Sequence, residues 1–165
     1  MGFRVSLLAF ALSLLAACAP APARQVHARA SSRLPAVSVI GLDRQATSLP
    51  VLTRGRPALV ALWATWCKTC SAELAELNRL HAHVEGRALV VGVAVGERYE
   101  TVRDYVAPRD LHYAQLVDEE FRLADALGSE RVPSTLVVDR NGSVRYTGGA
   151  LDGAALAALR DVMSE

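Results

Sequence analysis

The chain is poor in cysteine: only Cys18, Cys67 and Cys70 occur in 165 residues. There is no second CxxC and no HxxxH, so a structural zinc site lacks half of its ligands. No internal repeat is present, and no long apolar run follows the N-terminal one. An excess of one charge is also missing, with 18 basic residues against 17 acidic. Arg4, Arg24, Arg29 and Arg33 all lie in the first 34 residues. Without them the remainder is near −3 (14 basic against 17 acidic), which argues against nucleic acid as a partner. About 130 residues are enough for one ordinary core and leave little room for a second domain.

The N-terminus opens with Met1-Gly2-Phe3-Arg4, a short basic stretch. Val5 to Ala17 is an apolar run too short to span a bilayer comfortably, and reads as an export signal. It ends in Leu15-Ala16-Ala17-Cys18. This ending resembles the bacterial lipobox, which implies cleavage before Cys18 and lipid attachment to its sulfur and new amino group. The alternative is an ordinary cleaved signal with Cys18 free or removed, although a stray cysteine there is a liability in an oxidising compartment. Residues 19–34, rich in Ala, Pro, Arg and Ser, suit a flexible tether. Arg24, Arg29 and Arg33 suit either anionic headgroups or plain solvation. The organisation expected is therefore a lipoprotein signal at 1–17, a lipidated Cys18 and tether at 18–34, and one domain at 35–165.

Within that domain the decisive segment is Ala58-Leu59-Val60-Ala61-Leu62-Trp63-Ala64-Thr65-Trp66-Cys67-Lys68-Thr69-Cys70. An apolar β-type run feeds directly into two cysteines two residues apart. Leu74, Leu77, Leu80, His81 and Val84 then recur at helical spacing. Cys67 is thus expected at the first turn of a helix leaving the C-terminal end of a strand. Backbone N–H groups and the positive end of the helix dipole stabilise a thiolate there, and the thiolate is the attacking species in thiol–disulfide exchange. Cys70, one turn on, is placed to resolve a mixed disulfide. A purely structural bridge is the competing reading, but so short a loop constrains little of the unfolded chain.

Strands and helices alternate along the rest. Val37 to Leu42 and Thr47 to Leu49 read as a leading hairpin, Pro57 to Ala64 as a central strand, and Cys67 to about Val84 as a helix. Ala88 to Val95 is a second buried strand, Tyr99 to Val106 a helix stopped by Pro108, and Tyr113 to Val117 a short strand. Asp118 is expected to N-cap a helix carrying Phe121, Ala124 and Leu127 and ending at Gly128. Ser134 to Asp139 and Ser143 to Thr147 flank Asn141-Gly142, a hairpin signal, and Asp152 caps a last helix bearing Leu156, Leu159 and Val162. Such a pattern predicts an α/β sheet with an antiparallel part at its end.

This order, with the CxxC at its place, resembles the thioredoxin fold. Trp63 to Cys70 is similar to the family's active-site segment, and Val132-Pro133-Ser134-Thr135-Leu136 to its second signature. The lipobox, the leading hairpin, Val93-Ala94-Val95-Gly96-Glu97 and Val138-Asp139-Arg140-Asn141-Gly142 resemble the TlpA/ResA group of membrane-anchored thiol–disulfide oxidoreductases of the bacterial envelope, several serving cytochrome c maturation. The fold implied is a central mixed β-sheet flanked by helices, with an N-terminal β-hairpin extension. The resemblance also implies a cis Val132–Pro133 bond facing the cysteines and presenting Val132 to an extended substrate; on local chemistry alone Pro133 can simply start a strand. Thioredoxins proper bury an aspartate six residues before the first cysteine, and Ala61 stands there in this chain.

Some other group must then manage the proton of Cys70. Glu97 is the candidate, because residues beyond the C-terminal ends of parallel strands converge on one rim, and because the resemblance places a functional glutamate there. A partly buried carboxylate near a thiol can act as general base; the competing reading is a solvated glutamate starting the next helix. Lys68 favours the Cys67 thiolate by charge, to the small extent an exposed lysine allows. Trp66 is expected to cover one side of the disulfide, and Trp63 to lie in the core. His81 and His83 are two apart, face different sides of the helix and make a poor metal pair.

Together these readings predict an extracytoplasmic, lipid-anchored protein on the periplasmic side, reducing disulfides through a Cys67–Cys70 cycle. They imply no cofactor and no metal, and a monomer. The expected partners are disulfide-containing envelope proteins such as apocytochrome c or metal-site assembly proteins, with a membrane thiol electron-transfer protein as reductant. A copper carrier using Cys67, Cys70 and a histidine, and a non-catalytic envelope binding module, are the alternatives.

Overall fold

The computed structural model describes residues 33–165. Cys18, the signal and most of the tether lie outside the described residues. In chain order the elements are β1 (Val39–Gly41), β2 (Ala46–Thr47), α1 (Leu49–Leu52), β3 (Ala58–Trp63), α2 (Lys68–Val84), β4 (Leu89–Val95), α3 (Tyr99–Val106), β5 (Ala114–Asp118), α4 (Arg122–Ala126), β6 (Ser134–Val138), β7 (Val144–Gly148) and α5 (Gly153–Ser164). The strands form one sheet in the order β2-β1-β5-β4-β3-β6-β7.

All six residues of β3 are buried because both faces of the sheet are covered. Side chains alternate with period two. Leu59, Ala61 and Trp63 join one cluster with Cys70, Leu74 and Leu77 of α2 and Leu159 of α5. Ala58, Val60 and Leu62 join another with Leu49, Leu123 and Leu136. Each fully buried leucine contributes about 1.5–3 kcal/mol relative to an exposed one.

The register places the chemistry. β3 and β4 run parallel from Ala58↔Leu89 to Trp63↔Ala94, and β5 runs parallel to β4. Their C-terminal ends therefore lie at one pole of the sheet. β6 is antiparallel to β3, pairing Leu62 with Ser134, so it begins at that same pole. Cys67, Glu97 and Pro133 leave three different strand ends there.

The leading hairpin is present as β1 and β2, antiparallel with Ile40 opposite Ala46. β1 also pairs with β5, which joins the hairpin to the sheet. Leu49–Leu52 is a helical turn rather than the end of a strand, with proline in its first turn, where its fixed φ and missing N–H are tolerated. The start of α4 differs from expectation. Its N-cap is Phe121, in the left-handed region at φ 58°, and Asp118 ends β5 instead. Asp118 still caps the helix from there: Oδ2 accepts from the amides of Leu123 at 3.0 Å and Ala124 at 2.9 Å. The sequence pattern identified the capping acid but not the three-residue excursion before the helix.

Packing begins slightly before the expected domain start. Leu34 is buried, its N–H donates to the Gly142 carbonyl at 2.9 Å, and Arg33 bridges Ser143 in antiparallel fashion. The turn that receives them is organised by Asp139, whose Oδ1 accepts from Asn141 and Ser143. Gly142 sits at φ 76°, which glycine adopts without a Cβ penalty.

Candidate active site

Cys67 is the N-cap residue of α2, and its Sγ accepts from the Cys70 N–H at 3.2 Å. The two cysteines form a disulfide with Cα atoms 5.2 Å apart. Cys67 is 7% exposed and Cys70 1% exposed. The more accessible cysteine is therefore also the one whose sulfur a helix-terminal amide addresses. Lys68 is exposed beside it. Trp66 is 68% exposed, so its ring stands in solvent at the same pole. Trp63 is buried, with its ring centroid 5.7 Å from that of Tyr105.

The Val132–Pro133 peptide bond is cis, and both residues are half-buried. Val132 lines a groove of about 190 Å³ together with Leu62, Trp66, Val95, Phe121 and Ala124. The groove thus has an apolar floor and reaches Trp66, the neighbour of Cys67. Phe121 is 45% exposed, and its ring lies against Gly96: a Cβ built there would fall 1.8 Å from the ring. Gly96 also holds φ 70°, so both space and backbone require glycine.

Glu97 follows Gly96 and reaches the loop before Cys67. Its Oε2 accepts from the Thr65 N–H at 2.6 Å, and its Oε1 accepts from the Thr65 hydroxyl. Both oxygens are thus bound to the residue two before Cys67. The structure brings Glu97 to the cysteine loop through a contact to Thr65 that the sequence did not single out.

A second acid was missed. Glu73 is only 7% exposed and accepts from the Leu151 N–H. It lies three residues after Cys70, so the two share the buried face of α2. Burial pushes its carboxyl above the usual range; the Leu151 amide opposes this and Glu76 adds to it. The signal was present: Glu73 is i+3 from Cys70 and i−4 from Leu77, on the face assigned to the core. Burial also pushes the nearby Tyr113 phenol up to about 12, partly opposed by Gln115 and reinforced by Glu73. Behind the disulfide, Ala61 faces Gly92 and Thr135 on its neighbouring strands, none of which carries an acid. Among the described residues, no group of three or more His, Cys, Asp or Glu side chains is placed to hold a metal ion.

The AhpC/TSA family profile matches residues 30–147. The chain belongs to the AhpC/TSA family. This AhpC/TSA chain is 37% identical over 97 residues to the thiol:disulfide interchange protein DsbE of Escherichia coli (strain K12), over 58% of this chain and 51% of that one. It is 28% identical over 93 residues to the thiol-disulfide oxidoreductase ResA of Geobacillus thermodenitrificans (strain NG80-2), over 56% of this chain and 53% of the relative. It thus spans about half the length of the curated relatives it matches. Among solved structures, a secreted thiol-disulfide isomerase from Corynebacterium glutamicum superposes with a TM-score of 0.72 at 20% identity, over 82% of this chain and 87% of that one. The exposed lipoprotein thioredoxin of Streptococcus pneumoniae strain TIGR4 gives 0.66 at 22% identity, over 76% of this chain and 98% of that one. The fold is thioredoxin-like, a mixed sheet flanked by helices.

Proposed function

We propose that the chain is an extracytoplasmic thiol–disulfide oxidoreductase working mainly as a reductant. The observation that carries this reading is the Cys67–Cys70 disulfide at the N-terminus of α2, with the Cys70 amide directed at Cys67 Sγ. In the reduced state, Cys67 is the thiolate and Cys70 the protonated thiol. Cys67 attacks one sulfur of a substrate disulfide, forms a mixed disulfide and releases the other substrate sulfur as a thiolate. Cys70 then loses its proton and attacks Cys67 Sγ, so the enzyme disulfide closes and the second substrate sulfur departs. Two electrons pass to the substrate, and the Cys70 proton ends on a substrate thiol.

Glu73 is the buried carboxylate on the helix face of Cys70 and serves as the carrier of that proton. Glu97 holds Thr65 and through it the loop that sets Cys67. Its role as a general base acting directly on Cys70, expected from the sequence, is the competing proposal. Val132 and Pro133 present an edge to an extended substrate, Trp66 flanks it, and Lys68 adds a weak field at the thiolate. The groove beside Trp66 suits an apolar side chain next to the substrate cysteine.

Relatives named as interchange proteins and as a lipoprotein thioredoxin support an envelope location. In the full proposal Cys18 carries lipid and residues 19–32 tether the domain on the periplasmic side of a bacterial membrane. Disulfide-containing proteins such as apocytochrome c or metal-site assembly proteins are the substrates, a membrane thiol electron-transfer protein restores the dithiol, and the chain acts as a monomer. The reduction potential of the Cys67–Cys70 couple tests the direction. A value near that of thioredoxin, about −270 mV, is expected; one near about −120 mV, typical of a strong oxidant, reverses it.

A further inference from the structure

The pole opposite the disulfide carries a feature that this chemistry does not use. Between the C-terminal halves of α2 and α5 lies a groove of about 400 Å³ with Leu80, Val84, Leu156 and Met163 in its lining. Arg79, His83, Arg87 and Arg160 line it as well, and all four are exposed. Apolar surface bordered by three arginines matches an amphiphile with an anionic head.

Topology places this groove at the pole where the chain enters the domain, with Leu34 packed on the opposite face of the sheet. α2 starts at the disulfide pole and ends at Val84, just before β4 begins opposite Ala58. Ala58 also pairs with Val138, so the Asp139–Ser143 turn lies at that far pole, and Leu34 is hydrogen-bonded to it. The same pole is rich in arginine. Its turns carry Arg54, Arg56, Arg87, Arg109 and Arg140 against Glu85, Asp110 and Asp139, and Asp139 is already paired with Arg145 at 3.2 Å. Outside the groove lining, Glu76 lies 3.8 Å from Arg79. The disulfide pole carries Glu97, Glu100, Glu119, Glu120, Asp125 and Glu130 against Arg44, Lys68, Arg98, Arg122 and Arg131.

We infer that the Arg79–Arg87–Arg160 groove binds anionic phospholipid at the membrane surface, turning the disulfide pole away from the bilayer. The inference rests on the tether reading for proximity and on the groove for orientation. On the tether reading, a coil of the length of residues 18–32 would span only about 20–25 Å, which would keep this pole near the membrane without fixing its angle. Lysine and arginine near an anionic surface add attraction that salt screens.

The test uses the exported full chain in discs of phosphatidylcholine alone or enriched in phosphatidylglycerol, each doped with a photoactivatable phospholipid of the same headgroup. Adducts are mapped by mass spectrometry. Adducts in 79–87 and 156–163 are expected in the phosphatidylglycerol discs, reduced several-fold in phosphatidylcholine, in high salt and in the R79E/R87E/R160E variant. The thiol-exchange rate of that variant should match wild type. Equal labelling in both lipids, or labelling centred on the disulfide pole, overturns the inference. So does protection of the same segments by a polyglutamate peptide when phosphatidylglycerol gives no adducts, which would mark a site for an acidic protein. A chain that fails to co-migrate with phosphatidylcholine discs counts against the anchor alone. Added freely to phosphatidylglycerol discs, it must still label at 79–87 for the inference to stand.

Discussion

Glu97 binds Thr65 with both carboxylate oxygens, tying the end of β4 to the loop that delivers Cys67. A carboxylate so occupied acts on the cysteine by holding its backbone. Glu97→Gln can replace only part of this, and hydrogen bonds to a charged group contribute about 1.5–3 kcal/mol. The variant should lose about 1–2 kcal/mol of stability in urea titration and exchange disulfides several-fold more slowly, with the shape of its pH–rate profile kept. Thr65→Ala should show a similar rate, and the double variant should be little slower than either single one. A shifted pH profile in Glu97→Gln alone would make it the base instead.

Glu73 carries the opposite expectation. Glu73→Gln keeps an acceptor for the Leu151 amide but cannot take a proton. Resolution by Cys70 should slow about tenfold or more, with an altered pH–rate profile; an unchanged profile removes Glu73 from the chemistry. Stability should move the other way. A carboxyl whose folded pKa is raised loses stability as pH rises toward and through that value. Glu73→Gln should therefore be at least as stable as wild type at pH 8, with its advantage shrinking as pH falls through the carboxyl range. Thermal melts across pH check this.

The strands around the site could be read from sequence because each is a compact apolar run whose burial is nearly complete, as in Ala58–Trp63 and Leu89–Val95. Cys67 and Cys70 were legible for the same reason: the run ends where the helical period begins. Glu73 was not singled out, since a glutamate in a helix reads as a solvated face unless its phase relative to Cys70 and Leu77 is followed. Thr65 became informative only through a contact 32 residues away in the chain. The pairing of β1 with β5 and the left-handed Phe121 depend on tertiary packing against Val117 and Gly96, which local propensity does not report.

Asp152 is the N-cap of α5, and its Oδ1 accepts from Ala155 N–H at 2.8 Å. Asp152→Ala should cost about 1 kcal/mol in chemical denaturation. The rate of thiol exchange should remain that of wild type, because the residue acts on the fold. A loss of rate without a loss of stability would contradict this assignment.

The anchor has its own test. Cys18→Ala should move the protein from the membrane fraction to the soluble one while its thiol chemistry persists, and mass spectrometry of the wild type should find the lipid on Cys18. An unmodified N-terminus elsewhere would remove the lipoprotein proposal and leave the redox one intact.

Trapping of covalent intermediates tests the central claim most directly. Cys70→Ser leaves Cys67 able to attack but unable to be released, so mixed disulfides with substrate proteins should accumulate and disappear on reduction. Cys67→Ser leaves only the nearly inaccessible Cys70 and should trap few or none. If neither variant forms mixed disulfides, or Cys67→Ser traps as efficiently as Cys70→Ser, Cys67 is not the nucleophile of a thiol–disulfide exchange.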